Sequence, residues 1–257
     1  MLDSASPFAA AMPPGAETMN ALAYRRLRRA VVGLELAPGS LAGEAELAER
    51  FRLGRASVRV ALTRLSVAGL VEAQPRHGWR IAPVTGALVG EVAAARRALE
   101  PSLAQVRPSA KEADRLATLI AMNQALREQD GPALVTARVN DRLLLDLLAA
   151  RLDRLRARWL GEAWDHAERI GLVLDGSGTP WRPPERDRLV AALLARDEAA
   201  ARHEIEAAIA AFEVHAGRAI LALPVPIMLP GQARAARANR PGRVIPRSRQ
   251  QTQKVTS

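Results

Sequence analysis

Leu47-Ala48-Glu49-Arg50-Phe51-Arg52-Leu53-Gly54-Arg55-Ala56-Ser57-Val58-Arg59-Val60-Ala61-Leu62-Thr63-Arg64-Leu65 is the stretch that decides the fold. Val58, Ala61, Leu62 and Leu65 recur at helical spacing and define one apolar face, while Arg55 and Arg59, four apart, share another. A helix over Arg55–Ala68 is expected, with Gly69 as the residue just past its end. Immediately upstream, Glu44 to Phe51 fits a short helix, Glu44 and Glu46 lying near its positive N-terminal end, and Leu53-Gly54 breaks it. Further back, Leu22, Leu27, Ala30 and Val31 alternate with Arg25, Arg26, Arg28 and Arg29, a one-sided helix over Met19–Val32 that stops at Leu36-Ala37-Pro38-Gly39-Ser40. Downstream, Leu70–Ala73 and Trp79–Ala82 flank the turn Gln74-Pro75-Arg76-His77-Gly78, the pattern of a hairpin. Three short helices and a hairpin over residues 18–85 make a winged helix-turn-helix. Residues 1–17, rich in Ala, Pro, Ser and Gly, read as a loose, disordered tail.

Composition narrows the rest. The chain has 257 residues, of which 49% are hydrophobic and 25% charged, so a globular protein is expected rather than a disordered one. Aromatics are only 3%, so the core must be aliphatic and helices are favoured. With no cysteine, disulfide scaffolds, thiolate zinc sites and cysteine nucleophiles are excluded. No basic leader and no long apolar run stands out, so no membrane role and a cytoplasmic location are expected. The net charge of +10 is uneven: residues 18–85 hold eleven arginines against five glutamates, and residues 214–257 hold eight basic residues and no acid. Basic regions flank a nearly neutral middle, which suggests a nucleic-acid module joined to a domain with another task.

From Leu88 to about Leu223 the pattern is helical throughout. Helices are expected over 88–107, 110–129, 132–149, 152–168, 184–195 and 198–221, a bundle within a domain of residues 86–223. The fold class is therefore mainly α, a winged module followed by an all-helical bundle. Residues 224–257 carry five prolines and no acid, and read as a basic disordered tail. That tail either strengthens nonspecific DNA binding or is an inert solubilising segment.

The run Leu36-Ala37-Pro38-Gly39 … Glu46-Leu47-Ala48 … Leu53-Gly54-Arg55-Ala56-Ser57-Val58-Arg59 … Ala61-Leu62 … Leu65 … Gly69-Leu70-Val71 … Arg76-His77-Gly78 resembles the DNA-binding domain of GntR-type transcriptional regulators. Gly54 stands where that family usually has a capping serine, a loss of only a few tenths of a kcal/mol. Val60 stands in place of a common glutamate. The resemblance assigns Arg55 and Arg59 to base contact, and such arginines can bind guanine O6 and N7 bidentately in the major groove; against that stands the reading of both as surface arginines paired with nearby acids. Ser57 is expected to reach a phosphate or base edge from the same turn. Arg76, His77 and Gly78 form the tip of the wing, where glycine allows close approach of the backbone and a basic residue suits the minor groove. Arg25 and its neighbours on the first helix are expected either at phosphates or facing solvent. Double-stranded operator DNA is the partner implied, bound by a homodimer so that two reading helices match a two-fold site.

The helical half is similar to the FCD effector domain of the FadR-like GntR subgroup, through Glu91–Pro101 and Ala192–Arg202. Many such domains hold a divalent metal with one Asp and three His. Aligned on the local pattern, those positions are Asn140, Leu144, Arg186 and Ala208, and neither a one-residue shift to Asp141 nor His166, His203 or His215 restores the spacing. No metal and no other cofactor is expected. A small-molecule effector, a carboxylate or similar anion, would then be held otherwise: by Arg96 and Arg186 as a guanidinium clamp, with Asn140 beside them and Trp159, Trp164 or Trp181 as an apolar wall. Against that stands the reading of Arg186 as a solvated arginine at a helix start.

No phosphate loop, zinc-protease helix or nucleophile elbow is present, so the chain is not expected to be an enzyme. A sequence-specific DNA-binding transcriptional regulator is the leading expectation. The alternative is a small-molecule-binding or dimerisation protein with a vestigial DNA-binding module.

Overall fold

In the computed structural model, residues 18–175 and 180–222 are described. The expected tails, 1–17 and 224–257, lie outside them. The chain starts with α1 (Met19–Val32), whose first turn is capped by the Thr18 hydroxyl accepting from the Ala21 N–H at 3.1 Å. β1 (Leu41–Ala42), α2 (Glu44–Arg50), α3 (Arg55–Val67), β2 (Val71–Gln74) and β3 (Gly78–Ile81) follow. The three strands form one antiparallel sheet in the order β1-β3-β2, with Ala42 opposite Trp79 and Gln74 opposite Gly78. The hairpin lies one residue from the expected limits on each side of the turn. β1 was not expected, since two residues are too few for alternation to register.

One apolar cluster holds this module together. Leu27 and Val31 of α1, Leu47 of α2, Val58, Leu62 and Leu65 of α3 and Ile81 of β3 are all fully buried. Each such side chain contributes roughly 1.5–3 kcal/mol relative to exposure. Their burial fixes which face of α3 points outward. Gly69 leaves α3 with φ +70°, the left-handed turn a Cβ would disfavour.

The helical half comprises α4 (Gly86–Leu99), a 3₁₀ turn (Glu100–Gln105), α5 (Ala110–Leu126), α6 (Pro132–Ala149), α7 (Arg154–Leu174), α8 (Asp187–Ala195) and α9 (Glu198–Ala222). The helix expected over 88–107 instead ends at Leu99. Pro101 lies at the start of the 3₁₀ turn, lacking the N–H that an α-helix interior requires. α7 runs six residues beyond its expected end at Glu168, and Gly171 in that extension lets Trp181 pack within 3.6 Å of where a Cβ would sit. Leu103, Leu116, Leu144, Leu148, Leu160, Leu193 and Ile205 form the main core.

α7 joins the two halves through three polar side chains. Asp165 accepts from Arg28 of α1, His166 Nε2 lies 2.8 Å from the Ala68 carbonyl at the end of α3, and Arg169 donates to the Ala82 carbonyl. Arg169 is completely buried, and burial pushes its guanidinium down to about 10. At neutral pH it remains a cation.

Candidate nucleic-acid interface

α3 begins at Arg55, after Gly54 in extended conformation with φ −68° and ψ 139°. Arg55 is exposed and is in no ion pair among the described residues. One turn later Arg59, its side chain 70% exposed, is held by Glu44 at the start of α2. Its Nε donates to the two carboxylate oxygens at 3.1 and 2.9 Å, and Nη2 donates to Oε2 at 2.8 Å. The Trp79 indole of β3 donates to the same carboxylate at 3.4 Å. Donation from Arg59 holds the Glu44 carboxyl below the usual carboxylate range, and the Arg59 guanidinium is raised in turn. One carboxylate thus connects α2, α3 and the wing strand.

Ser57 departs from the expectation of a surface contact. It is buried, 9% exposed, beside Val58. The reason is angular: two residues along a helix is a rotation of about 200°, which carries Ser57 to the side away from Arg55.

The wing residues Arg76, His77 and Gly78 are all exposed. Gly78 has φ +83°, and a Cβ there would lie 2.8 Å from the Ala42 carbonyl oxygen, so the strand can pass β1 only with glycine at this point. Arg76 also takes a positive φ, and His77 Nδ1 lies 2.9 Å from the Pro75 carbonyl. On α1, Arg25 and Arg29 are exposed, Arg26 donates to the Phe51 carbonyl at 2.8 Å, and Arg28 turns toward α7. Arg59 thus takes an acid partner, as the alternative reading of it expects, but the sequence does not single out Glu44. The pair spans fifteen residues and its only sequence signal is an acid at the first position of α2.

The residues expected around an effector are distributed differently. Arg96 and Arg186 line one cavity of about 80 Å³, together with Trp164, Trp181 and Phe212. Asn140 is buried on α6, its Nδ2 without a hydrogen-bond partner, and is not among the residues lining that cavity. Trp159 is 47% exposed and takes no part in the wall. Arg186 is 6% exposed, not solvated. Both arginines already carry internal carboxylates. Arg96 Nε donates to Glu100 Oε1 at 2.5 Å, with its guanidinium 4.7 Å from the Phe212 ring, and Arg186 Nε donates to Asp141 Oδ1 at 2.8 Å. A clamp of unpaired guanidinium charge is therefore not what this cavity presents.

The positions that the resemblance aligns with metal ligands are all inward: Asn140, Leu144, Arg186 and Ala208 are buried. An amide, an isobutyl group, a guanidinium and a methyl do not make a cation site. Among the described residues no group of three or more His, Cys, Asp or Glu side chains is placed to hold a metal ion.

The family model for bacterial regulatory proteins, gntR family, matches residues 21–81. Residues 21–81 form a gntR-family domain. The matched span runs from α1 to the end of β3 and so includes both arginines of α3 and the whole wing. The chain is also similar to curated relatives over part of its length. Over 89 residues the chain is 33% identical to the HTH-type transcriptional repressor RspR of Escherichia coli K12, covering 35% of this chain and 39% of that protein. Over 77 residues it is 39% identical to an HTH-type transcriptional regulator of Streptomyces ambofaciens, covering 30% of this chain and 33% of that protein. The chain thus matches about two fifths or less of the length of these relatives.

Solved structures extend the likeness in fold beyond the gntR-family domain. Escherichia coli McbR/YncC superimposes with a TM-score of 0.67 at 18% identity, covering 79% of this chain and 99% of that one. A GntR regulator from Rhodococcus sp. RHA1 gives 0.57 at 17% identity, covering 77% and 97%. At these identities the likeness is one of fold: a winged helix-turn-helix followed by a helical domain. Among the described residues no helix is long and apolar enough to cross a membrane.

Proposed function

We propose that this chain is a sequence-specific DNA-binding transcriptional regulator of the GntR type, working in the cytoplasm as a homodimer on a two-fold operator. The observation that carries the reading is α3 itself, whose buried apolar face turns Arg55 and Arg59 outward four residues apart. Presented to a major groove, each can discriminate a guanine by roughly 1–3 kcal/mol. The exposed wing tip of Arg76, His77 and Gly78 adds a minor-groove or phosphate contact, and Arg25 and Arg29 add sequence-blind affinity at phosphates. Homodimerisation follows from the two-fold symmetry that paired half-sites demand.

The helical half is the regulatory part of this proposal, and its FCD-type reading rests on the resemblance of residues 91–101 and 192–202. The cavity bounded by Arg96, Arg142, Trp164, Trp181, Arg186 and Phe212 receives a small effector without a metal. An organic acid entering it competes with Glu100 and Asp141 for the guanidinium groups they hold. Occupancy then alters operator affinity by the difference in effector affinity between the two domain arrangements.

Selection of the purified full chain against random duplexes tests the reading. Enrichment of a motif with two-fold related half-sites is the expected result. No enrichment at low salt, where nonspecific binding persists, leaves the winged module vestigial and the proposal wrong.

A further inference from the structure

An acid on the basic face of a DNA-binding module weakens attraction to phosphate and calls for a physical role. Glu44 is such an acid, its side chain 25% exposed, in a segment whose charge is otherwise strongly positive. It does not stand alone as a surface charge. Its two oxygens accept three bonds from Arg59, all between 2.8 and 3.1 Å, and a further one from Trp79. The direction of its titration agrees, since donation from Arg59 holds the carboxyl below its usual range.

What the carboxylate takes and what it leaves decide the consequence. A guanidinium has five N–H groups in a fixed plane. Glu44 engages Nε–H and one N–H of Nη2, the inner edge of the fork. Nη1 and the second N–H of Nη2 remain, and these form the outer, parallel pair that matches O6 and N7 of guanine. A free arginine must lose about 2 kcal/mol of rotamer entropy to reach one such attitude. Arg59 has already lost much of it. Arg55, with no acid partner among the described residues, has not.

We propose that Glu44 is a positioning residue that fixes Arg59 end-on to the major groove and so sets base choice at one position of each half-site. Trp79 ties that arrangement to the wing. The inference rests on the DNA-reading proposed above, and it adds a residue that touches no base itself.

Competition binding of the full chain against operators substituted at every position tests it, with Glu44→Gln, Glu44→Asp, Arg59→Ala and the Glu44→Gln/Arg59→Ala pair. Arg59→Ala should flatten preference at one base pair per half-site by about tenfold or more. Glu44→Gln should flatten the same base pair several-fold while affinity for random duplex stays level or rises, and should add nothing once Arg59 is alanine. Glu44→Asp, too short for the same fork, should lose selectivity at that base pair too. Uniform weakening at all positions, or a loss confined to a different base pair, overturns the inference. So does an unchanged Glu44→Gln profile beside an altered Arg59→Ala profile, which would leave the DNA-reading standing. A wild-type chain with no base preference removes both.

Discussion

Replacing Asp165 with asparagine should weaken the whole molecule, although the residue lies in neither α3 nor the wing. Asp165 is 3% exposed on α7 and accepts from Arg28 of α1 through both Nε and Nη2, and from Arg142 Nη1 of α6 at 2.8 Å. Asparagine keeps the shape and one acceptor but removes the charge and turns an NH₂ group toward a guanidinium. Breaking a fully buried ion pair costs about 3–5 kcal/mol. Here the loss is smaller, because the Arg28 side chain is 33% exposed and can rehydrate, and Arg142 keeps Asp146 at 2.9 Å and Glu168 at 3.8 Å. A destabilisation of about 2 kcal/mol is the result to expect. With a urea slope of about 2 kcal/mol per molar, that is a midpoint about 1 M lower in equilibrium unfolding of the full chain. Hydrogen exchange should localise the loss to α1 and α7. A variant within about 0.5 kcal/mol of wild type would refute the view that this carboxylate fastens the winged module to the helical half.

Three further outcomes follow from the same contacts. Gly78→Ala places a Cβ 2.8 Å from a backbone oxygen at φ +83° and should cost about 1–3 kcal/mol in urea unfolding, with loss of wing contacts in footprints. Arg186→Ala leaves Asp141, 13% exposed, without its cation and should cost about 3 kcal/mol, whereas Arg186→Met combined with Asp141→Asn should recover most of it; calorimetry reads both. Glu112, which accepts from Arg151 and from the Ser109 N–H and hydroxyl, is held down to about 2. A carboxyl depressed in the folded state contributes stability that is complete above its unfolded value of 4.5 and is lost as pH falls toward 2. The melting temperatures of wild type and Glu112→Gln should accordingly differ near neutral pH and converge through that window.

The winged module was legible because its punctuation is local. Gly54 and Gly69 bracket α3 and the Pro75–Gly78 turn marks the hairpin, so each boundary depends on residues within one or two positions. α4 stops short of the expected Arg107 for an equally local reason: Leu99, Leu103 and Val106 keep helical spacing past Pro101, but that proline lacks the N–H an α-helix interior needs. The partners of the charged residues were not legible. Arg59 and Glu44 are fifteen residues apart, and Arg28 and Asp165 are 137 apart, so only the packing of α1, α2, α3 and α7 brings them together. The cavity arginines follow the same rule. Arg96 meets Glu100 one turn along its own strand of chain, but Arg186 reaches Asp141 across forty-five residues, and without that partner the residue reads as a free charge.

The ratio of operator affinity to random-duplex affinity, measured at one fixed salt concentration for wild type and for Arg55→Ala/Arg59→Ala, bears most directly on the role of α3. Two guanine contacts at roughly 1–3 kcal/mol each should lower that ratio by about thirtyfold or more while random-duplex binding declines only modestly. A double variant that keeps the wild-type ratio would contradict recognition through this helix.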